Sequence, residues 1–220
     1  MSVLRTGKAP VWLFDLDNTL HDASPHIFPH INRSMTEYIQ RHLVLEHGPA
    51  NDLRNHYWRR YGATLRGLVR HHGTDPQHFL RETHRFERLH DMMVFERALH
   101  GMLLRLPGRK IVFSNAPRHY ADAVLDIMGV RALFSDVAGI EDLGYQPKPG
   151  IAAYRRLIAS RRLNPARCIM LEESAANLRT AKRLGMRTVL VTRTLRHPSY
   201  VDLKISSILD LRRKLGHLLG

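Results

Sequence analysis

Residues 11–20 read VWLFDLDNTL, and the fold follows from how that run ends. Its apolar, β-branched start has the character of a strand buried within a parallel sheet. The run then stops at Asp15 and Asp17, with Asn18 and Thr19 behind them. A strand ending in Asp-x-Asp aims two carboxylates at the carboxyl edge of a sheet, where α/β proteins place their chemistry. Two acids this close repel each other unless a cation or a transferred proton relieves the charge. Taken alone, the segment is also compatible with a strand followed by an Asp-rich turn.

Three later segments repeat the pattern of apolar strand, polar turn and helix. Residues 110–114 (KIVFS) precede Asn115, Ala116, Pro117 and a helix-like ADAVLDIMGV. Residues 167–171 (RCIML) meet Glu172, Glu173 and Ser174, then AANLRTAKRLG, with Gly185 as the expected helix stop. Residues 187–192 (RTVLVT) form a further strand, 134–138 one more, and a final helix is expected near 206–218. Short buried strands alternating with amphipathic helices predict an α/β fold, a Rossmann-like three-layer core with a mostly parallel sheet.

The stretch 24–104 differs. It is poor in β-branched runs and rich in helix-favouring charged residues, and it predicts about four helices with breaks near Gly48-Pro49, Gly73–Pro76 and Met93. An inserted α-helical cap domain over 21–104 is expected, hinged near 21–25 and 101–108. Residues 1–20 and 105–220 would then form the catalytic core.

A chain of 220 residues suits one large domain or a core carrying a smaller insertion. Its 44% hydrophobic content can supply a core, and no stretch approaches the roughly 18–20 apolar residues of a membrane span. The start, MSVLRTGKAP, lacks a secretory apolar region. The lone Cys168 excludes an internal disulfide and reads as a buried structural thiol; a cytoplasmic location is expected. The net charge of +14 favours an anionic partner. The 28 arginines and 6 lysines are nevertheless spread along the chain, so a nucleic-acid partner is not expected. None of the 15 histidines has a convincing partner set, and none is assigned to a site.

Asp15/Asp17, Ser114, Lys148 and Glu172/Glu173 all fall at or just past the ends of predicted parallel strands, so they converge on one edge. Together they offer a carboxylate nucleophile, a second carboxylate for proton transfer, a hydroxyl donor, a fixed cation and a further acid for a metal. That set suits phosphoryl transfer through an aspartyl-phosphate. Read singly, Ser114 could cap the next helix and Lys148 could be a solvated loop lysine.

The order DLDNT, FSN, PKP, LEESAANL resembles the haloacid dehalogenase superfamily, in its phosphatase branch, over nearly the whole chain. The resemblance implies Asp15 as the nucleophile and Asp17 as the acid/base, with the Asp17 carbonyl on Mg²⁺. It implies Ser114 and the Asn115 backbone on the transferring phosphoryl, and Lys148 neutralising charge beside Asp15. Dehalogenases of that superfamily lack an acid two residues past the nucleophile, so Asp17 implies phosphate chemistry.

One position departs from the pattern. Where the family has a metal-binding Asp, this chain has Glu173, one methylene longer, and Mg²⁺ is demanding about its octahedral geometry. Asp15, Asp17 and Glu173 are the expected metal ligands, with Glu172 as second choice; Glu172 is expected instead to orient a metal-bound water or to meet Lys148. Asn177 and Ser174 are expected to support the site or the helix start.

Within 56–68, HYWRRYGATLRGL resembles the cap of pyrimidine 5′-nucleotidases through Tyr61, Gly62, Leu65, Arg66, Gly67 and Leu68. The resemblance implies a pyrimidine nucleoside 5′-monophosphate as substrate, with Tyr61 and Arg66 as binding residues; Tyr61 and Leu65 could equally share a buried helix face. The alternatives are a sugar-phosphate or phosphoglycolate phosphatase, a phosphomutase, or a basic binding protein of low activity. A monomer or homodimer that takes a small phosphate ester, away from membranes, is the expected assembly.

Overall fold

Alternate residues of a strand face opposite sides of its sheet, and both sides are apolar here. The computed structural model describes residues 9–194 and 197–219. The expectations for the first eight residues lie outside that range. Six parallel strands form one sheet: β1 (Val11–Phe14), β2 (Arg109–Phe113), β3 (Asp136–Ala138), β4 (Cys168–Glu172), β5 (Arg187–Val191) and β6 (Leu203–Ile205), in the order β3-β2-β1-β4-β5-β6. The α/β, Rossmann-like core is as predicted. Strand β3 is shorter than the sequence suggested, and the three-residue β6 is too short to leave a periodic signal.

Helices fill the interval after β1: α1 (Ile27–Leu43), α2 (His47–Tyr61), α3 (Thr64–His72), α4 (Pro76–Thr83), α5 (Leu89–Met92) and α6 (Leu99–Leu104). The break expected at Gly48-Pro49 falls earlier. Val44 takes a left-handed conformation and ends α1, while Pro49 sits in the first turn of α2, where its missing N–H costs nothing. The breaks at 73–76 and at Met93 are where the sequence put them. The segment 79–93, expected as one helix, is interrupted between Thr83 and Leu89. Helices α1–α4 pack on one another, whereas α6 packs against the 3-10 turn Ile208–Lys214.

The remaining helices are α7 (Arg118–Ile127), α8 (Ile151–Ser160), α9 (Ala175–Arg183) and α10 (Leu215–Leu219). The helix expected near 206–218 is mostly that 3-10 turn, opened by a Ser207/Asp210 capping box, with only α10 helical. Gly185 stops α9 with φ +88°. One face of the sheet buries Trp12, Phe14, Val112 and Leu171 under α6 and α7. The other buries Leu13, Ile111, Phe113 and Met170 under α8 and α9. Removing a ring such as Phe14 from that centre would cost roughly 3–5 kcal/mol. Cys168 is buried there. Among the described residues no helix is long and apolar enough to cross a membrane.

Candidate active site

Register sets the site. Phe14 pairs with Val112 on one side and Leu171 on the other, so the three central strands end within one residue of one another. Asp15, Ser114 and Glu172 therefore share one edge. Asp15 N donates to Leu171 O at 3.0 Å and Ser114 N donates to Ala138 O at 3.0 Å, so the ladder fixes both residues by their backbones.

Lys148 does not directly follow a strand end as its motif position suggested: it lies ten residues past β3, in the turn segment that leads into α8, and is fully sequestered. Its Nζ donates to Asp15 Oδ1 at 2.6 Å, Glu172 Oε1 at 2.8 Å and Phe113 O at 2.8 Å. All three ammonium protons are thereby satisfied, which is what allows a buried cation. Asn115 clamps the lysine backbone: Lys148 N donates to Asn115 Oδ1 at 2.8 Å, and Asn115 Nδ2 donates to Lys148 O at 3.1 Å. The Ser114 oxygen accepts from Ala116 N at 3.0 Å; its own proton remains to be donated.

The acids differ by environment. Burial first, then the Glu172 charge, raises Asp15 to about 6 against the pull of Lys148. Burial also pushes Glu172 up, but Lys148 and the Ser174 N–H at 2.8 Å outweigh it and hold that carboxyl below its ordinary value. Asn177 Nδ2 donates to Glu172 as well. Glu173, reached by the cavity opening, is held well above the ordinary range by burial of its carboxyl and by Asp15 and Glu172. Burial opposes the charge on Lys148, but Asp15 and Glu172 prevail and raise its pKa.

Carboxylate oxygens of Asp15, Glu172 and Glu173 lie within 4.8 Å of one another. With all three ionised, Lys148 offsets one charge and leaves two negative charges, which a divalent cation would match. Hard oxygen donors suit Mg²⁺, so the residues fit that ion. Glu172 is already engaged by Lys148, Asn177 and Ser174; Asp15 and Glu173 retain free oxygens. Thr19 donates its hydroxyl to Glu173 Oε2 at 2.9 Å, which steadies the longer side chain.

Asp17 has two partners that sequence reasoning did not name. Tyr120 OH donates to its Oδ1 at 2.7 Å, and His21 Nε2 lies 3.0 Å from the same oxygen. His21, one of the histidines that the sequence leaves unassigned, is buried against Asp17. The i, i+4 spacing of Asp17 and His21 was the available signal. Asn18 makes the turn between them: it adopts φ +62°, which Asn tolerates, and its Oδ1 accepts from Ala23 N at 2.9 Å.

Asp15, Asp17, Ser114, Asn115, Lys148, Glu172 and Glu173 all line one cavity of about 490 Å³, closed from the other side by residues of α1–α4. Arg66 lines it too. Tyr61 is not among the lining residues; its hydroxyl meets His71 Nε2 at 2.7 Å. Gly67 does not approach this cavity either. A Cβ there would come within 2.1 Å of the Tyr57 ring, so this glycine serves the contact between α2 and α3.

Comparison with known proteins follows the same lines. The family described as "Hydrolase: haloacid dehalogenase-like hydrolase" matches residues 11–185. Phosphate metabolism protein 8 of Saccharomyces cerevisiae is 22% identical over 198 residues, which cover 82% of this chain and 60% of that protein. Hexitol phosphatase B of Escherichia coli is 30% identical over 105 residues, covering 46% and 47%. The chain thus spans about half to three fifths of the length of these relatives. A crystal structure of a phosphatase from Thermococcus onnurineus superposes with a TM-score of 0.68 at 20% identity, over 96% of this chain and 99% of that one.

Proposed function

The chain belongs to the haloacid dehalogenase-like hydrolases, and we propose that within that family it hydrolyses nucleoside 5′-monophosphates, pyrimidine ones first, with residues 21–104 acting as the cap. The observation that carries the chemistry is the Lys148 ammonium wedged between Asp15 and Glu172. That contact fixes one Asp15 oxygen and leaves the other to attack phosphorus.

The Asp15 oxygen bonds to phosphorus as the ester P–O bond breaks, giving an aspartyl-phosphate, and Asp17 gives its proton to the departing alkoxide. Asp17 then takes a proton from water as that water attacks the aspartyl-phosphate. Phosphate leaves and Asp15 is restored. The Ser114 hydroxyl and Lys148 meet the charge spread over the transferring oxygens. Mg²⁺, held by Asp15 and Glu173 with the Asp17 carbonyl, would supply charge neutralisation at the phosphoryl group. The match to the nucleotidase cap at Tyr61–Leu68 supports the nucleotide substrate, with Arg66 on the cavity wall.

The test is phosphate release from UMP, CMP, AMP, phosphoglycolate and hexose phosphates, with Mg²⁺ and then with EDTA. UMP or CMP should be turned over best, EDTA should stop release, and Asp15→Asn should abolish it. Release from sugar phosphates alone would overturn the nucleotide assignment. It would favour the second reading, a sugar-phosphate phosphatase, which the partial match to hexitol phosphatase B supports.

A further inference from the structure

Arg54 and Trp58 lie four residues apart on α2, one turn along one helix face, and both line the cavity that holds Asp15 and Asp17. Neither is explained by packing. Trp58 is 60% exposed, whereas Trp12, the other tryptophan, is 0% exposed and part of the core. An indole on the wall of a cavity with its face left open has a flat, apolar surface to offer a planar ring.

Arg54 is half-buried, and no carboxylate pairs with it among the described residues. Two neutral amides brace it instead. Nη1 donates to Asn32 Oδ1 at 2.8 Å and Nη2 donates to Asn51 Oδ1 at 3.0 Å. Nε is buried and finds no acceptor among the described residues. Burial lowers the guanidinium pKa, and no acid offsets the effect. Amide oxygens aim the guanidinium fork without discharging it, so its remaining protons await an electron-rich oxygen.

The acids, Lys148 and Ser114 occupy the sheet side of the cavity, where the phosphoryl group belongs. The α2 face is left for the leaving group. We infer that Arg54 and Trp58 read the ring of that leaving group: a planar heterocycle stacks on the indole, and a ring carbonyl oxygen accepts from the guanidinium. Uracil and cytosine both carry such a carbonyl. Adenine has the ring without the carbonyl, and ribose 5-phosphate has neither. This assignment rests on the nucleotide reading above and names the residues that would enforce it.

The comparison is kcat/KM of the Mg²⁺-supplied enzyme on UMP, AMP and ribose 5-phosphate for wild type, Trp58→Ala, Trp58→Phe and Arg54→Gln. Trp58→Ala should narrow the preference for UMP over ribose 5-phosphate about tenfold, the scale of one aromatic–base stack, and Trp58→Phe should restore most of it. Arg54→Gln should narrow the preference for UMP over AMP by a similar factor. Ratios taken within one variant are indifferent to how much of it folds. In Asp15→Asn, UMP should quench tryptophan emission, and Trp58→Phe in that background should abolish the quench. If wild type turns over UMP but neither ratio moves and no quench is seen, the ring site is overturned and the nucleotidase reading stands. If wild type hydrolyses ribose 5-phosphate and ignores UMP, the nucleotidase reading itself falls.

Discussion

Tyr120 donates its hydroxyl proton to Asp17 Oδ1 across 2.7 Å, tying the second acid of the β1 loop to the first turns of α7. Burial first, and then the Asp17 charge, raise the phenol pKa, so Tyr120 stays a neutral donor at any working pH. It touches Asp17 and is not among the residues lining the cavity. Its part is to position the acid. Tyr120→Phe removes a hydrogen bond to a charged group, worth about 1.5–3 kcal/mol. We expect kcat to fall by about tenfold or more with KM nearly unchanged in steady-state kinetics. A rise in KM alone would contradict this role.

Glu173 predicts a metal phenotype. Its carboxyl sits against Asp15 and Glu172, and a cation that bound there in the folded protein would stabilise it by mass action. Millimolar Mg²⁺ should raise the melting temperature of wild type, and EDTA should reverse the gain. Glu173→Gln should lose most of that shift and need at least about tenfold more Mg²⁺ for half-maximal activity, the scale on which site substitutions alter affinity. An unaltered Mg²⁺ dependence would remove Glu173 from the metal site.

His84 predicts acid sensitivity. It is buried, and burial first, with His119 adding, lowers its pKa to about 4 although Asp17 pulls the other way. Unfolded His titrates near 6.5, so between those values the unfolded chain binds the proton and the folded one does not. Stability from this residue is complete above about pH 6.5 and is lost as pH falls towards 4, by up to about 3 kcal/mol. Urea titrations of wild type should show that loss, and His84→Gln should flatten it. Equal slopes for the two proteins would rule out His84 as the source.

Gly67 predicts a packing defect. A Cβ at this position would lie 2.1–2.5 Å from Tyr57 ring and Cβ atoms, so α2 and α3 would have to separate. Gly67→Ala should cost about 1–3 kcal/mol, the usual range for overpacking, despite the better helix propensity of alanine. Thermal unfolding measures it. Because α2 also carries Arg54 and Trp58, activity should fall with stability.

The main features of the sheet edge were legible in the chain because they are written locally. A buried run that ends in acids, a hydroxyl or a glutamate pair needs only its own neighbours to be recognised. Three such runs in one order make parallel strand ends, and register then brings Asp15 and Glu172 level with Ser114 one residue further along the edge. The helical character of residues 27–104 was equally local, although Pro49 misled because a proline in a first turn reads like a break.

What the chain alone did not disclose depends on contacts between distant elements. Tyr120 reaches Asp17 across 103 positions and Thr19 reaches Glu173 across 154; neither pairing leaves a periodic trace. His21 could have been suspected from its spacing, but only burial beside Asp17 gives it meaning. Gly67 could not be read as a helix–helix contact until Tyr57 was in place against it. Sequence therefore determined which chemistry gathers at the sheet edge, since strand ends carry it. Tertiary packing decided how those groups are held and which face of α2 meets them, because burial and charge compensation exist only once the chain has closed on itself.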